Sequence, residues 1–486
     1  LIRPPRRFID NSRLDPMQPL DYAIIILFLA GNMLLGLWQG RSNKQTSDYF
    51  LGGHKLPWFM VMLSIVATET SVLTFVSVPG LAYRGDWSFL QLSFGYIVGR
   101  ILVSFILLPT YFKQGVTSIY EVIGMRFGHG IQKTASVIFL LTRILGDGIR
   151  FLATGVVVQA VTGWPLSLSV LVIGIVTLVY TISGGLKTVV WLDSIQFALY
   201  LGGGIVTILF ILARLDAPLN DVLAPLLAVG KLRIIDTDPN VLTNPLSFFS
   251  AFSGGILLSL CSHGVDYLMV QRVLGCDGLA SARKAMIASG IFVLFQFALF
   301  LLAGSLIYVF FNGAPLVKDR EFTAFIVQTL PAGLKGLLLA GILSAAMSTL
   351  ASSINSLAAS TVTDLMKGRA SLNASRLISV AWATVLIGIA LAFNENDKAI
   401  VMLGLEIASF TYGGLLGLFL LSKSRRDFRS SSLVAGLLAS MGVVFLLKFL
   451  GLAWTWYIAV SVMLNILTTV GVEALLPENK ESFARK

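Results

Sequence analysis

The stretch PWFMVMLSIVATETSVLTFVSVPG, residues 57–80, is apolar at both ends and polar in the middle. Thr68, Glu69, Thr70, Ser71 and Thr74 fall together at the centre of a run long enough to cross a bilayer. Single hydroxyls in such a run are satisfied by bonding back to carbonyls of their own helix. A carboxylate inside a polar cluster is different, because charged groups at membrane depth are costly and are kept for function. The stretch reads as an interrupted span. A second interruption lies at 246–272, where Gly254-Gly255 is followed by Ser259, Cys261, Ser262, His263, Gly264 and Asp266. Two interrupted spans, five apart in order, fit the pattern of inverted-repeat transporters, which bind their cargo at the midplane between the repeats.

The rest of the chain agrees with a membrane setting. Of 486 residues 56% are hydrophobic and 13% charged, and the mean hydropathy is +0.84. Soluble domains carry about 25% charged residues, so a soluble enzyme, a disordered chain and a secreted disulfide scaffold are excluded. The net charge of +11 does not point to nucleic acid, since Lys and Arg lie in short segments between apolar runs. Cys261 and Cys276 exclude a Cys-ligated cluster, and His54, His129 and His263 are too scattered for a zinc signature. There is no phosphate-binding glycine loop for ATP-driven transport and no paired catalytic carboxylates, so no enzyme is expected.

The expected fold is an all-α integral membrane protein of about thirteen spans: 20–39, 57–79, 89–111, 134–162, 164–183, 191–213, 246–272, 285–311, 333–363, 377–394, 399–421, 432–450 and 453–476. A five-plus-five inverted repeat would place 57–213 in the first repeat and 246–421 in the second. Span 20–39 and the segment 432–476 are then peripheral. Residues 1–19 and 477–486 are tails, with Met17 read as the start. Lys and Arg are in excess in the segments that an outside N-terminus puts in the cytoplasm, among them Arg41, Lys187, Arg272 and the Arg425-Arg426 pair. The N-terminus is therefore expected outside and the C-terminus inside, in the cytoplasmic membrane. The lipid bilayer, a small solute and a cation are the expected partners, with no nucleic acid and no obligatory protein.

Within the spans, ILSAAMSTLASSINSLAASTVTD at 342–364 is dense in small residues and hydroxyls, most of which serve close helix packing. Ala345, Ser348 and Thr349 nonetheless share one face at i, i+3 and i+4. Two hydroxyl oxygens plus carbonyls freed by the unwound second span would replace the water shell of a monovalent cation. In TRILGDGIR, 142–150, Arg143 and Asp147 are spaced to pair along a helix, and Arg150 competes for the same carboxylate. One arginine is then in excess and suits an anionic solute, unless Glu69 consumes its charge.

Six stretches carry a family resemblance: YFLGGHKLPWF at 49–59, GVTSIYEVIGMRFG at 115–128, YTISGGLKTVVWLDSIQ at 180–196, DYLMVQRVLG at 266–275, GLLLAGILSAAMSTLASSINS at 336–356 and YGGLLGLFLLS at 412–422. Together, and in this order, the chain resembles the sodium/solute symporter family, with its leucine-transporter-like fold. The resemblance implies a sodium ion held by the carbonyls of Ala67, Thr70 and Ala345 and the hydroxyls of Ser348 and Thr349. Some members hold a second sodium one turn further on, with an aspartate matching Asp193. Here that turn has Ala351 beside Ser352, and one sodium is expected. Substrate contacts are implied for Ser71, Thr74, Phe89, Arg143 and Asp147. The lysine of the sugar transporters is Val293 here, and the arginine of the sialate transporters falls near Gly146, so the solute is left unassigned.

The expected function is sodium-coupled import of a small polar organic solute (sugar, sialate or other carboxylate) by alternating access. Two alternatives stand beside it. One is proton coupling through Glu69, Asp147 or His263, and the other is a membrane sensor that keeps the transporter fold.

Overall fold

A computed structural model describes residues 17–41, 43–215, 217–392 and 400–477, the side chains of residue 73 and of 400–409 excepted. The tail expectations for residues 1–16 and 478–486, and the side chain of Glu406, lie outside that set. The described chain is helical, and a single bridge, Leu56 to Cys276, is its extended pairing. Helices follow from the solvent: without water to satisfy them, backbone N–H and C=O groups must bond within their own segment.

The principal helices are α1 (Pro19–Gly40), α2 (Trp58–Glu69), α3 (Val72–Arg84), α4 (Ser88–Gln114), α5 (His129–Thr162) and α6 (Leu166–Leu215). They are followed by α7 (Phe248–Gly264), α8 (Tyr267–Leu274), α9 (Leu279–Phe310), α10 (Leu334–Leu365) and α11 (Leu372–Ala392). The last three are α12 (Ile400–Ser422), α13 (Ser430–Phe449) and α14 (Trp454–Leu475). Among the described residues nine helices are long and apolar enough to cross a membrane, or eleven when each bent pair counts as one span.

That count differs from the thirteen spans expected, for two reasons. Spans five and six are continuous as α6, whose 50 residues would extend about 75 Å if straight. A bilayer core is about 30 Å thick, and α6 breaks at Gly185, where φ 60° and ψ −161° are open to glycine and strained for other residues. The eleventh span is left out of the count, because only Phe410–Ser422 of it is described in full and this is too short.

The two interruptions are physical bends. The α2–α3 pair turns by 61° and the α7–α8 pair by 59°. Thr70 leaves the helical region at φ −84° and ψ 83°, which releases carbonyls at the end of α2. Asp266 caps α8 by accepting a bond from the Leu268 amide at 2.9 Å, so the second break is held by its own carboxylate. Small residues bring the helices together around these breaks. A methyl group on Gly95 would lie 2.3 Å from the Phe252 carbonyl oxygen, and one on Gly255 would lie 2.5 Å from that of Leu92. The α4–α7 crossing is thus a glycine contact, backbone against backbone. Helix α10 is the innermost element: its apolar window is 94% buried, against 22% for α1 and α14. The most hydroxyl-rich helix is therefore the one most enclosed by the rest of the protein.

Candidate functional site

The break of α2 lies against the middle of α10. Thr349 Oγ1 donates either to the Thr68 carbonyl at 3.3 Å or to the Ala345 carbonyl at 3.2 Å. The Thr68 and Ser348 hydroxyls are 3.5 Å apart. Ala67, Thr70, Ala345, Ser348 and Thr349 are all buried, and Ser348 and Thr349 of α10 meet Thr68 near the end of α2. Thr70 has a further partner: its hydroxyl accepts from Gln296 Nε2 on α9. These oxygens are neutral, as a monovalent cation allows.

Next to them are two small cavities. The larger, of about 70 Å³, is lined by Thr74, Phe89, Arg143, Arg150, His263 and Tyr412, among others. The smaller, of about 10 Å³, adjoins Ser71, Asp147, Arg150 and Thr349. All five residues expected to contact substrate border one cavity or the other, and Arg150 borders both. Together they hold a few water molecules, so a solute of more than a few heavy atoms enters only when the helices part.

Four arginines face this region, and each meets a carboxylate. Arg143 donates to Asp147 at 3.3 Å, to Asp266 at the α7–α8 break, and to the Tyr412 hydroxyl at 2.7 Å. It ties α5 to the second broken helix and to α12, so the Arg143–Asp147 pair read from spacing is one edge of a larger network. Arg150 donates to Asp147 at 3.0 Å; among the described residues that carboxylate is its one hydrogen-bond partner, and 23% of its side chain is exposed. The other Asp147 oxygen accepts from Ser353, one turn beyond Thr349 on α10.

The second arginine of α5 is neutralised by Asp266 and not by Glu69, which corrects the expected excess of one arginine. Glu69 accepts from Arg100 of α4, which is fully buried and also donates to Ser289 at 2.6 Å. His263 Nε2 lies 3.8 Å from Glu69, too far for a hydrogen bond, and is buried with no partner among the described residues. Its Nδ1 is 2.8 Å from the Ser262 hydroxyl.

Sequence reasoning placed Arg272 among the cytoplasmic loop charges, and the structure corrects this. Arg272 is fully buried on α8. Its guanidinium donates to Ser64 at 2.9 Å, to Thr68 at 2.7 Å, to the Leu268 carbonyl, to Ser352, and to Asp193 at 3.5 Å. Asp193 also accepts from Ser64 at 2.5 Å. A lone arginine on a short amphipathic helix after a broken span carries no sign of this in sequence; a clue was the count of carboxylates, since Asp193 needed a cation. Among the described residues no group of three or more His, Cys, Asp or Glu is arranged to hold a metal.

Known proteins share this chain's sequence and fold. A curated relative, the sodium/iodide cotransporter of Homo sapiens, is 29% identical over 445 residues, covering 87% of this chain and 68% of that one. The sodium-coupled monocarboxylate transporter 1 of Xenopus laevis is 28% identical, with 87% and 71% covered. The sodium/sialic acid symporter SiaT of Proteus mirabilis is 26% identical, with 88% and 90% covered. Among solved structures, a substrate-bound, outward-open Na+-coupled sialic acid symporter superposes with a TM-score of 0.86 at 23% identity, covering 95% of this chain and 99% of that one, and shows the same fold. The family profile described as the sodium:solute symporter family matches residues 49–425. The chain therefore belongs to the sodium:solute symporter family, as a multi-pass membrane protein that moves a solute by sodium-coupled symport.

Proposed function

We propose that one sodium ion binds between the α2 break and α10, and that an anionic solute binds beside it with its carboxylate on Arg150. The observation that carries this reading is the position of Arg150. It is a cavity-facing cation with one hydrogen-bond partner, next to the Thr349 hydroxyl. The carbonyls of Ala67, Thr70 and Ala345 and the hydroxyls of Ser348 and Thr349 would hold the ion. Ser71, Thr74 and Phe89 would border the solute, with Arg143 and Asp147 positioning Arg150. The Arg150 guanidinium offers a carboxylate two parallel donors, the strong form of such a contact.

Charge balance supports the same assignment. Arg100–Glu69, Arg143–Asp266, Arg150–Asp147 and Arg272–Asp193 pair off. Bringing in one cation with one anion keeps the interior neutral, where an uncompensated charge is costly. Arg272 supports a single sodium, because its guanidinium bonds to Asp193 and Ser352 in the region where Ala351 offers no hydroxyl. On this reading sodium favours the state in which the solute cavity is formed, and coupling follows from the differential affinity of the two ligands for the two access states. The similar bends of α2–α3 and α7–α8 support the five-plus-five repeat, 57–213 and 246–421, and the Gly185 break supports thirteen crossings. The Lys and Arg excess supports an outside N-terminus and an inside C-terminus.

The test is a thermal-shift screen of sugars, sialates and short carboxylates in sodium or potassium, followed by uptake and current measurements in proteoliposomes. Carboxylates should stabilise in sodium and not in potassium, and a monocarboxylate should enter with one sodium and no net current. A current of one charge per solute would mean a second cation, since each uncompensated charge is driven by about 2.3 kcal/mol per 100 mV. Uptake driven by pH without sodium would favour proton coupling through Glu69 and His263.

A further inference from the structure

A wide groove lies away from the proposed transport site, between the peripheral helix α1 and the second half of α6. It measures about 830 Å³ and is lined by Leu35 and Trp38 from α1, by Arg41 just after it and by Lys187, Trp191 and Ile195 from α6, with no carboxylate among its lining residues. The walls are graded. Leu35 and Ile195 are apolar and are 37% and 49% exposed, so this part faces the bilayer. Arg41 and Lys187 are exposed and sit together at one end, where α1 stops and α6 bends. Neither cation, and neither indole N–H of Trp38 and Trp191, has a hydrogen-bond or ion-pair partner among the described residues.

The groove is preformed. A methyl group on Gly36 would lie 2.3 Å from Tyr180 Cβ, and one on Gly40 would lie 2.2 Å from the Ser183 carbonyl oxygen, so α1 rests directly on the backbone of α6. Asn43 Nδ2 donates to the Gly184 carbonyl at 2.8 Å, and Thr188 donates to Gln39 at 3.0 Å. These contacts fix the two cations relative to the apolar wall.

We propose that this groove binds an anionic phospholipid, its phosphate between Arg41 and Lys187 and an acyl chain along Leu35 and Ile195. Charge complementarity selects the occupant: a zwitterionic lipid brings its own cation toward two others, whereas a phosphatidylglycerol headgroup does not. Basic pockets between membrane helices are suited to anionic headgroups, and each surface cation adds about 1 kcal/mol to the attraction. Trp38 and Trp191 line the same groove, and indoles are side chains that favour a membrane interface.

The test uses the purified full chain in detergent, titrated with phosphatidylglycerol or with phosphatidylcholine of identical acyl chains, with thermal unfolding as the readout. Phosphatidylglycerol should stabilise at about tenfold lower concentration than phosphatidylcholine. The Arg41→Gln/Lys187→Gln double variant should lose that preference while unfolding normally in phosphatidylcholine. The charge-conserving pair Arg41→Lys/Lys187→Arg should keep it. Each single Gln variant should lose part of it, so the result does not depend on the double variant folding. Glycerol phosphate without acyl chains should have no effect. Equal response to the two lipids, an unchanged preference in the double variant, or full replacement by glycerol phosphate would each overturn the proposal.

Discussion

Two arginine–aspartate pairs of the same chemistry stand in opposite situations. Arg272 is fully buried, and its guanidinium is used up by Asp193, three hydroxyls and a carbonyl. Arg150 makes one hydrogen bond, to Asp147, and shows 23% of its side chain to the cavities. The first is a closed structural cation that joins α8 to α2, α6 and α10. The second is an open one, held in place but not satisfied. Saturation, more than charge or sequence neighbourhood, separates a cation that maintains a membrane protein from one that can receive a ligand.

The comparison breaks most visibly at the closed pair. Replacing Arg272 with Leu leaves Asp193 buried without a counter-charge, which should cost about 3–5 kcal/mol and reduce folded protein sharply in a thermal-unfolding assay. Adding Asp193→Asn in the same chain should restore part of that loss. If Arg272→Leu instead folds normally, the pair is not the structural centre described.

The open pair should respond in the other way. Arg150→Gln should leave unfolding and sodium affinity near wild type and weaken binding of a carboxylate solute about 10- to 100-fold, as removing a charge-assisted hydrogen bond of about 1.5–3 kcal/mol does. Calorimetric titration at fixed sodium measures this directly. Equal weakening of a neutral solute would argue that Arg150 shapes the cavity and does not read charge.

Between the two lies the cation face. Ser348→Ala and Thr349→Ala should each raise the sodium concentration for half-maximal uptake about tenfold, with solute affinity at saturating sodium retained. If both keep the wild-type sodium dependence, the ion binds elsewhere. The smallest effect is expected at His263. Its Nε2 is unpartnered and lies near Glu69, so His263→Gln should change solute ranking by a few-fold, about 1 kcal/mol, without loss of the fold. A competition panel would show it.

Much of this was legible along the chain. The polar run at 68–74 and the cluster from Ser259 to Asp266 marked the breaks, because a bilayer tolerates such groups only where they are buried in protein or line a cavity. Ala345, Ser348 and Thr349 were grouped by helical spacing, which needs no knowledge of neighbours. The pairing of charges was not legible in the same way. Glu69 meets Arg100 from the next span, and Arg143 meets Asp266 from a helix 123 residues away. Arg272 looked like a loop residue because it ends the expected span 246–272, three residues before Gly275.

The sequence by itself determined that the protein crosses a membrane, where its helices are interrupted, and that it belongs with sodium-coupled symporters. These follow from local hydropathy, from helical periodicity and from motifs, all of which are carried by residues near one another in the chain. The tertiary structure alone decided which charge neutralises which, and so which arginine keeps the fewest hydrogen-bond partners. Inside a low-dielectric protein a charge is governed by the groups within a few ångströms of it, and in a bundle of helices those groups come from other spans.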